Sequence, residues 1–313
     1  MATKNFNDLL GSVSKAEFVA EVRGQKWLHV RKASEEFSGL VDWGDISRLL
    51  NMEIWNHQNL LLVQNTRPVP PQAYCQQSVD RTGLRQLVPV FEMVSQHLEQ
   101  GASLVLNEVE SLLTEVRAIT DAITSELNSK VSANIYVSQQ NHQAFDSHYD
   151  KTDVFVIQTL GSKRWRVYEG QIESPVLHPR FRGESKEQLT NLKGEVEREF
   201  IMQTGDLLYL PRGRFHDALA TMGPSIHISI SVSEPKGLDY LDLVMNEAVA
   251  DPLFREPIPI DQSDMEEHFG KLADRLKSVA NSSRTKTQGA RLHQHFGKTR
   301  PQLQVGRRET KKI

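Results

Sequence analysis

Between residues 131 and 235 apolar and polar side chains alternate in short runs. "SANIYVSQQ", "DVFVIQTLG", "KRWRVYEG", "GDLLYLPRG" and "SIHISISVS" each carry this two-residue rhythm, and Gly161, Gly170, Gly205 and Gly213 punctuate them. Alternation puts every second side chain on one face, so these runs predict the antiparallel strands of a sandwich or barrel. From about 84 to 128 the rhythm lengthens. Leu104, Val105, Val109, Leu112, Leu113, Val116, Ile119 and Ile123 recur at three- and four-residue spacing, with Glu108, Glu110, Glu115 and Asp121 between them. This spacing predicts one or two amphipathic helices.

The flanks are less regular. Residues 1 to about 50 predict short helices and turns, with Ser14 and Glu17 spaced as a capping box and a strand at 27–30. "NLLLVQ" predicts a buried strand, and Pro68, Pro70 and Pro71 an extended loop after it. Beyond Pro235 "LDYLDLVMNEAVADPLF" and "MEEHFGKLADRLKSVA" return to helical spacing. From about 281 the chain is polar and basic, from Arg284, Lys286 and Arg291 to Lys298, Arg300, Arg307, Arg308, Lys311 and Lys312, and a solvated tail is expected.

Composition narrows the function classes. A chain of 313 residues that is 38% hydrophobic can bury a real core. The net charge of -3 argues against nucleic acid or an anionic membrane as a general partner. No apolar run is long enough for a signal peptide or a membrane span. The single cysteine, Cys75, excludes an internal disulfide and suits a reducing cytoplasm.

The chemistry concentrates in "HYD" and the strands downstream of it. His148 and Asp150 are two apart, so in extended chain they project to one face. One imidazole nitrogen and one carboxylate oxygen suit a divalent metal, and a facial triad needs one further histidine. His178, in "VLHPRF", lies in a loop-like stretch, and His227 lies inside an alternating strand where a hydrogen-bonded core histidine is the plainer reading. His216 follows a strand, a proline and a glycine, which return it to a barrel mouth on a stiff turn, and it is the preferred third ligand. Lys163 shares a strand face with Trp165 and Val167, while Arg164, Arg166 and Tyr168 share the other. The first set is the more apolar, which points Lys163 inward, and a buried amine calls for an anionic ligand.

"HYDKTDVFVIQTLGSKRW" and "GDLLYLPRGRFHDALA…SIHISIS" resemble the JmjC-type, cupin-like oxygenases, in the branch related to the bacterial ribosomal oxygenases. The resemblance covers about residues 20 to 240. It implies a mainly β fold with flanking helices: a double-stranded β-helix, or jelly roll, followed by a C-terminal helical region. It implies an oxygenase domain over 1–235 with a helical insert at about 84–128, a helical dimerisation region over 236–280, and a basic polar tail over 281–313. His148, Asp150 and His216 match the ligands of Fe(II), and Lys163 matches the residue that binds the distal carboxylate of 2-oxoglutarate. Asn134 matches a polar residue that assists this carboxylate, and Ser225 and His227 match an "SxH" strand motif bordering the pocket.

The activity implied is hydroxylation of an unactivated C–H, with 2-oxoglutarate decarboxylated to succinate and dioxygen as cosubstrate. A protein or peptide side chain is the expected acceptor, ahead of an amino-acid-like metabolite, and N-methyl demethylation shares the same chemistry up to hydrogen abstraction. The reading from another class is a metal-binding cupin sensor without turnover. The ribosome-modifying members carry a C-terminal winged helix, for which the polar tail is too short, and this departure sets the expectation of a ribosomal protein as substrate in doubt. The rim loops 64–80 and 171–195 are polar and carry Arg180 and Arg182 as candidate contacts to an acidic group.

Overall fold

The structure is a computed structural model that describes residues 5–79, 82–139, 146–181, 183–220, 223–292 and 296. Arg182 and the tail basic residues from Lys298 onward lie outside these residues. The chain divides into two units, one of residues 1–123 and 131–233, the other of residues 124–130 and 234–313.

In the first unit the strands are β1 (Leu28–Val30), β2 (Leu60–Gln64), β3 (Arg67–Pro68), β4 (Cys75–Val79), β5 (Arg85–Pro89), β6 (Ser103–Leu106) and β7 (Lys130–Ser138). They continue as β8 (Asp153–Leu160), β9 (Ser162–Gln171), β10 (Val196–Gln203), β11 (Leu207–Leu210), β12 (Arg214–Ala220) and β13 (Ser225–Ser233). Helices α1 (Phe6–Leu9), α2 (Lys15–Glu17), α3 (Trp43–Leu50), α4 (Phe91–Glu99), α5 (Thr114–Leu127) and α6 (Lys186–Lys193) lie between them. An eight-stranded sheet runs β1-β11-β8-β13-β7-β6-β2-β3, a three-stranded sheet runs β10-β9-β12, and β4 and β5 form a hairpin. Within these sheets β1–β11, β11–β8, β8–β13, β7–β6, β6–β2, β2–β3, β10–β9, β9–β12 and β4–β5 pair antiparallel.

The two larger sheets share one core. Val154, Val156, Leu208 and Leu210 from the large sheet pack with Trp165, Val167 and Met202 from the small one. The large sheet's other face is also covered, by Phe6 and Phe18 against Phe155 and Tyr209. Both faces of β8 are therefore dry, which is why "DVFVIQT" is buried throughout. Each apolar side chain among them contributes about 2 kcal/mol by leaving water. This is the two-sheet antiparallel core expected from the alternation, in the jelly-roll form that the resemblance implies.

Three expectations are corrected. Leu104 and Val105 lie in β6, between Leu62 and Leu61 on one side and Val137 and Tyr136 on the other, and not in a helix. Gly101, at φ 88, ends the helix α4 before them. Residues 64–80 are not loop throughout, since β4 pairs with β5; "VEREFIMQ", for which the pattern predicts no element, is β10, an edge strand whose alternating acids and Arg198 hide the β rhythm. Residues 171–195 are not loop throughout, since Ser185 caps α6 through a capping box with Gln188.

In the second unit α7 (Gly237–Ala248), α8 (Gln262–Asn281) and α9 (Ser283–Ala290) follow β13. Here α9 corrects the start of the expected tail: Ser282 caps it, and it carries Arg284 and Lys286. Among the described residues no helix is long and apolar enough to cross a membrane.

Candidate metal centre

β12 and the segment before β8 bring three side chains together. His148 and His216 form an antiparallel bridge, with His148 N–H donating to His216 O at 3.0 Å and His216 N–H to His148 O at 2.8 Å. Gly213 N–H donates to Asp150 O at 2.8 Å, which ties the next turn of this segment to the start of β12. One ligand atom from each of His148, Asp150 and His216 lies within 4.8 Å of the others. His216 lies within strand β12 and not on the turn before it, which is a correction of detail.

The histidines are held alike. His148 Nδ1 lies 2.8 Å from Asp146 O, and His216 Nδ1 lies 3.0 Å from Arg214 O. A carbonyl only accepts, so each Nδ1 carries a proton, and in the neutral ring Nε2 is left with its lone pair. His216 Nε2 is 3.5 Å from Asp150 Oδ2. Burial, and then the neighbouring His148, pull His216 down to about 4, so it is neutral at physiological pH. A neutral imidazole is the form that binds a metal.

These groups open on a cavity of about 180 Å³ between the two sheets. Lys163 lines it and is 3% exposed. Burial alone pulls its ammonium down to about 7, and no carboxylate among the described residues offsets this. His227, Tyr136 and Asn134 also line the cavity. His227 stacks on Tyr136 at 4.9 Å and is held well below the ordinary histidine range by burial and then by Lys163. Its Nδ1 and the indole Nε1 of Trp165 are buried without a hydrogen-bond partner. Burial, and then the Asp150 charge, push Tyr136 up to about 12. Asn134 Oδ1 accepts from Glu108 N–H at 3.1 Å.

Ser225 is not brought to this cavity. Its Oγ accepts from Gln158 Nε2 at 2.8 Å, and it is fully buried. Ile226 pairs with Leu160 and His227 with Gln158, so the surplus residue at this irregularity is Thr159 on β8; His227, Ser229 and Ser231 line the cavity, while Ser225 is held by Gln158. His178 and Arg180 sit on the loop after β9, where Arg180 N–H donates to His178 Nδ1 at 3.1 Å. Tyr136 was missed from the sequence. The signal was there, since it stands two positions from Asn134 on β7 and so shares its face.

Three donors of this kind (two imidazoles and a carboxylate) suit a divalent transition metal, and an unpaired buried cation beside them suits an anion. Comparison with known proteins agrees with this chemistry. Residues 106–240 match the JmjC domain. The bifunctional lysine-specific demethylase and histidyl-hydroxylase NO66 of Drosophila persimilis is 31% identical over 173 residues, covering 53% of this chain and 24% of that one. The protein of the same name from Dictyostelium discoideum is 32% identical over 178 residues, covering 54% of this chain and 34% of that one. The chain thus spans about a third or less of the length of these curated relatives. Among solved structures, Escherichia coli YcfD superposes with a TM-score of 0.64 at 17% identity, covering 95% of this chain and 75% of that one. YcfD, described as a ribosomal oxygenase, in complex with cobalt and 2-oxoglutarate gives a TM-score of 0.60 at 17% identity, covering 88% and 69%. These likenesses show the fold.

Proposed function

We propose that this chain, which carries a JmjC domain, is an Fe(II)- and 2-oxoglutarate-dependent dioxygenase that hydroxylates a protein or peptide side chain. The observation that carries the reading is Lys163. A dry, unpaired ammonium in the same small cavity as a His-Asp-His cluster needs an anion, and a keto acid with a distal carboxylate supplies one. A sensor that only binds metal has no need of that cation.

In this reading His148 Nε2, Asp150 and His216 Nε2 hold Fe(II), and Lys163 holds the distal carboxylate of 2-oxoglutarate. His227 and Trp165, with unsatisfied ring nitrogens, and Asn134 complete the polar wall around it. Ser225 acts only through Gln158. Bound Fe(II) with dioxygen supplies the oxidising chemistry: one oxygen atom goes to the C–H and the other to succinate, with release of CO2. The protein orients the acceptor C–H and keeps water away, with Val154, Val156 and Ala218 as the apolar part of the wall.

A protein side chain as acceptor is supported by the names of the relatives, a histidyl-hydroxylase and lysine demethylase, and by the half-exposed Asp150 at the mouth. The chain acts as a homodimer through an apolar stripe on α7, where Leu238, Leu241 and Met245 are exposed, continued by the exposed Val249 just beyond its end. The same reading assigns it to the cytoplasm, supported by its lone buried thiol, Cys75.

The test is anaerobic titration of the purified protein with Fe(II) and 2-oxoglutarate. The expected result is a weak visible charge-transfer band, absent in His148→Ala, and succinate formation once air and a substrate peptide library are admitted. Bound metal with neither band nor succinate would sink the oxygenase reading in favour of a metal-binding cupin.

A further inference from the structure

β12 meets β9 through an irregular register. Arg214 pairs with Gln171 and His216 with Val167, so two steps along β12 match four along β9. The surplus residues on β9 make a bulge of the kind that re-aims side chains beside a site. A slip of one residue would turn His216 out of the cavity and Asp217 into it. Something besides the backbone must select the observed register.

Asp217 is placed to do so. It is 3% exposed and faces away from the cavity, on the side opposite His216. Its carboxylate accepts from Arg166 Nε at 3.0 Å, from Arg166 Nη2 at 2.9 Å and from Tyr168 Oη at 2.6 Å. Both donors lie on β9, on either side of Val167, the residue opposite His216. The network continues toward the first ligand. Lys193 Nζ sits over the Tyr168 ring at 4.6 Å and donates to Ser147 Oγ at 3.4 Å, next to His148.

We propose that Asp217 is a positioning residue for the metal centre: its grip on Arg166 and Tyr168 selects the β12 register that aims His216 into the cavity. This rests on the metal reading of His148, Asp150 and His216. A buried carboxylate satisfied by three directional bonds is a poor source of net stability but a good selector of one arrangement. The bidentate Arg166 fork fits one register only.

The test compares wild type with Asp217→Asn, Tyr168→Phe and Asp206→Asn. Asp206 is a control carboxylate, 1% exposed and bound by His29, Lys32 N–H and Gln203 N–H away from the cavity. The readouts are Co(II) affinity, the visible Co(II) spectrum and, in metal-free protein, hydrogen exchange at the His216 amide. Asp217→Asn should bind Co(II) about tenfold or more weakly, with an altered spectrum and faster exchange. Tyr168→Phe should shift the same readouts less, and Asp206→Asn should lower Tm while keeping the wild-type Co(II) affinity. Wild-type affinity and spectrum in Asp217→Asn overturn the proposal, whatever its Tm. If Asp217→Asn does not fold, unchanged affinity and exchange in Tyr168→Phe overturn it. A wild type that binds no Co(II) refutes the metal reading instead, and the exchange data then decide alone whether Asp217 holds β12 on β9.

Discussion

At the scale of single residues, Lys163 carries the most information. Its face was readable from sequence, because Trp165 and Val167 alternate with it and both are buried. Its lack of a partner was not readable, because that depends on what the opposite sheet presents. Burial lowers its folded value to about 7, against 10.5 for the free side chain. Between those two values the unfolded chain binds a proton that the folded chain has released, so the stability of the cosubstrate-free protein should rise with pH. Denaturant titrations from about pH 7 to 9.5 check this. Lys163→Met should remove the slope and stabilise the free protein at neutral pH by about 1–4 kcal/mol, while abolishing 2-oxoglutarate binding in calorimetry. A Lys163→Met protein that still binds 2-oxoglutarate with wild-type affinity would refute the role given to this side chain.

At the scale of elements, the site depends on how β12 begins. Gly213 adopts φ 84, and a Cβ there would overlap the carbonyl oxygen of Ile172. Its N–H bonds to Asp150 O and its carbonyl accepts from Ile172 N–H at 2.9 Å, so one glycine joins the ligand segment to the end of β9. Gly213→Ala should cost about 2–3 kcal/mol of stability and weaken Co(II) binding, read by thermal melts and by metal titration below the melting range. Strands with a dry face were legible, because burial imposes alternation. β6 was not, because a run of four buried residues has no period of its own and merged with the helical spacing after it. β10 and β12 were not, because an edge strand rich in acids and a strand bearing His216 and Asp217 read as polar chain. The bulge on β8 at Thr159, opposite Ile226 and His227, leaves no mark in a two-residue rhythm.

At the scale of the whole molecule, the assembly proposed for the helical unit makes its own prediction. Leu241 and Met245 are 54% and 55% exposed on α7. A double substitution, Leu241→Asp with Met245→Asp, should convert a dimer into a monomer in light scattering while leaving Co(II) affinity unchanged. A wild type that is already monomeric at micromolar concentration removes the dimer from the reading. The sequence by itself determined the β-rich class, the inward face of β9, and the His148–Asp150 pair, because each depends on neighbours within a few residues and on the fixed period of extended chain. Only the tertiary structure decided that His216, 66 positions beyond Asp150, completes the cluster. It alone decided that Ser225 is held by Gln158, that Lys163 stands unpaired among the described residues, and that Asp217 grips β9 from behind. Each of these is set by register and by the packing of two sheets against each other, and a one-residue change in pairing would reverse them without altering the pattern of the chain.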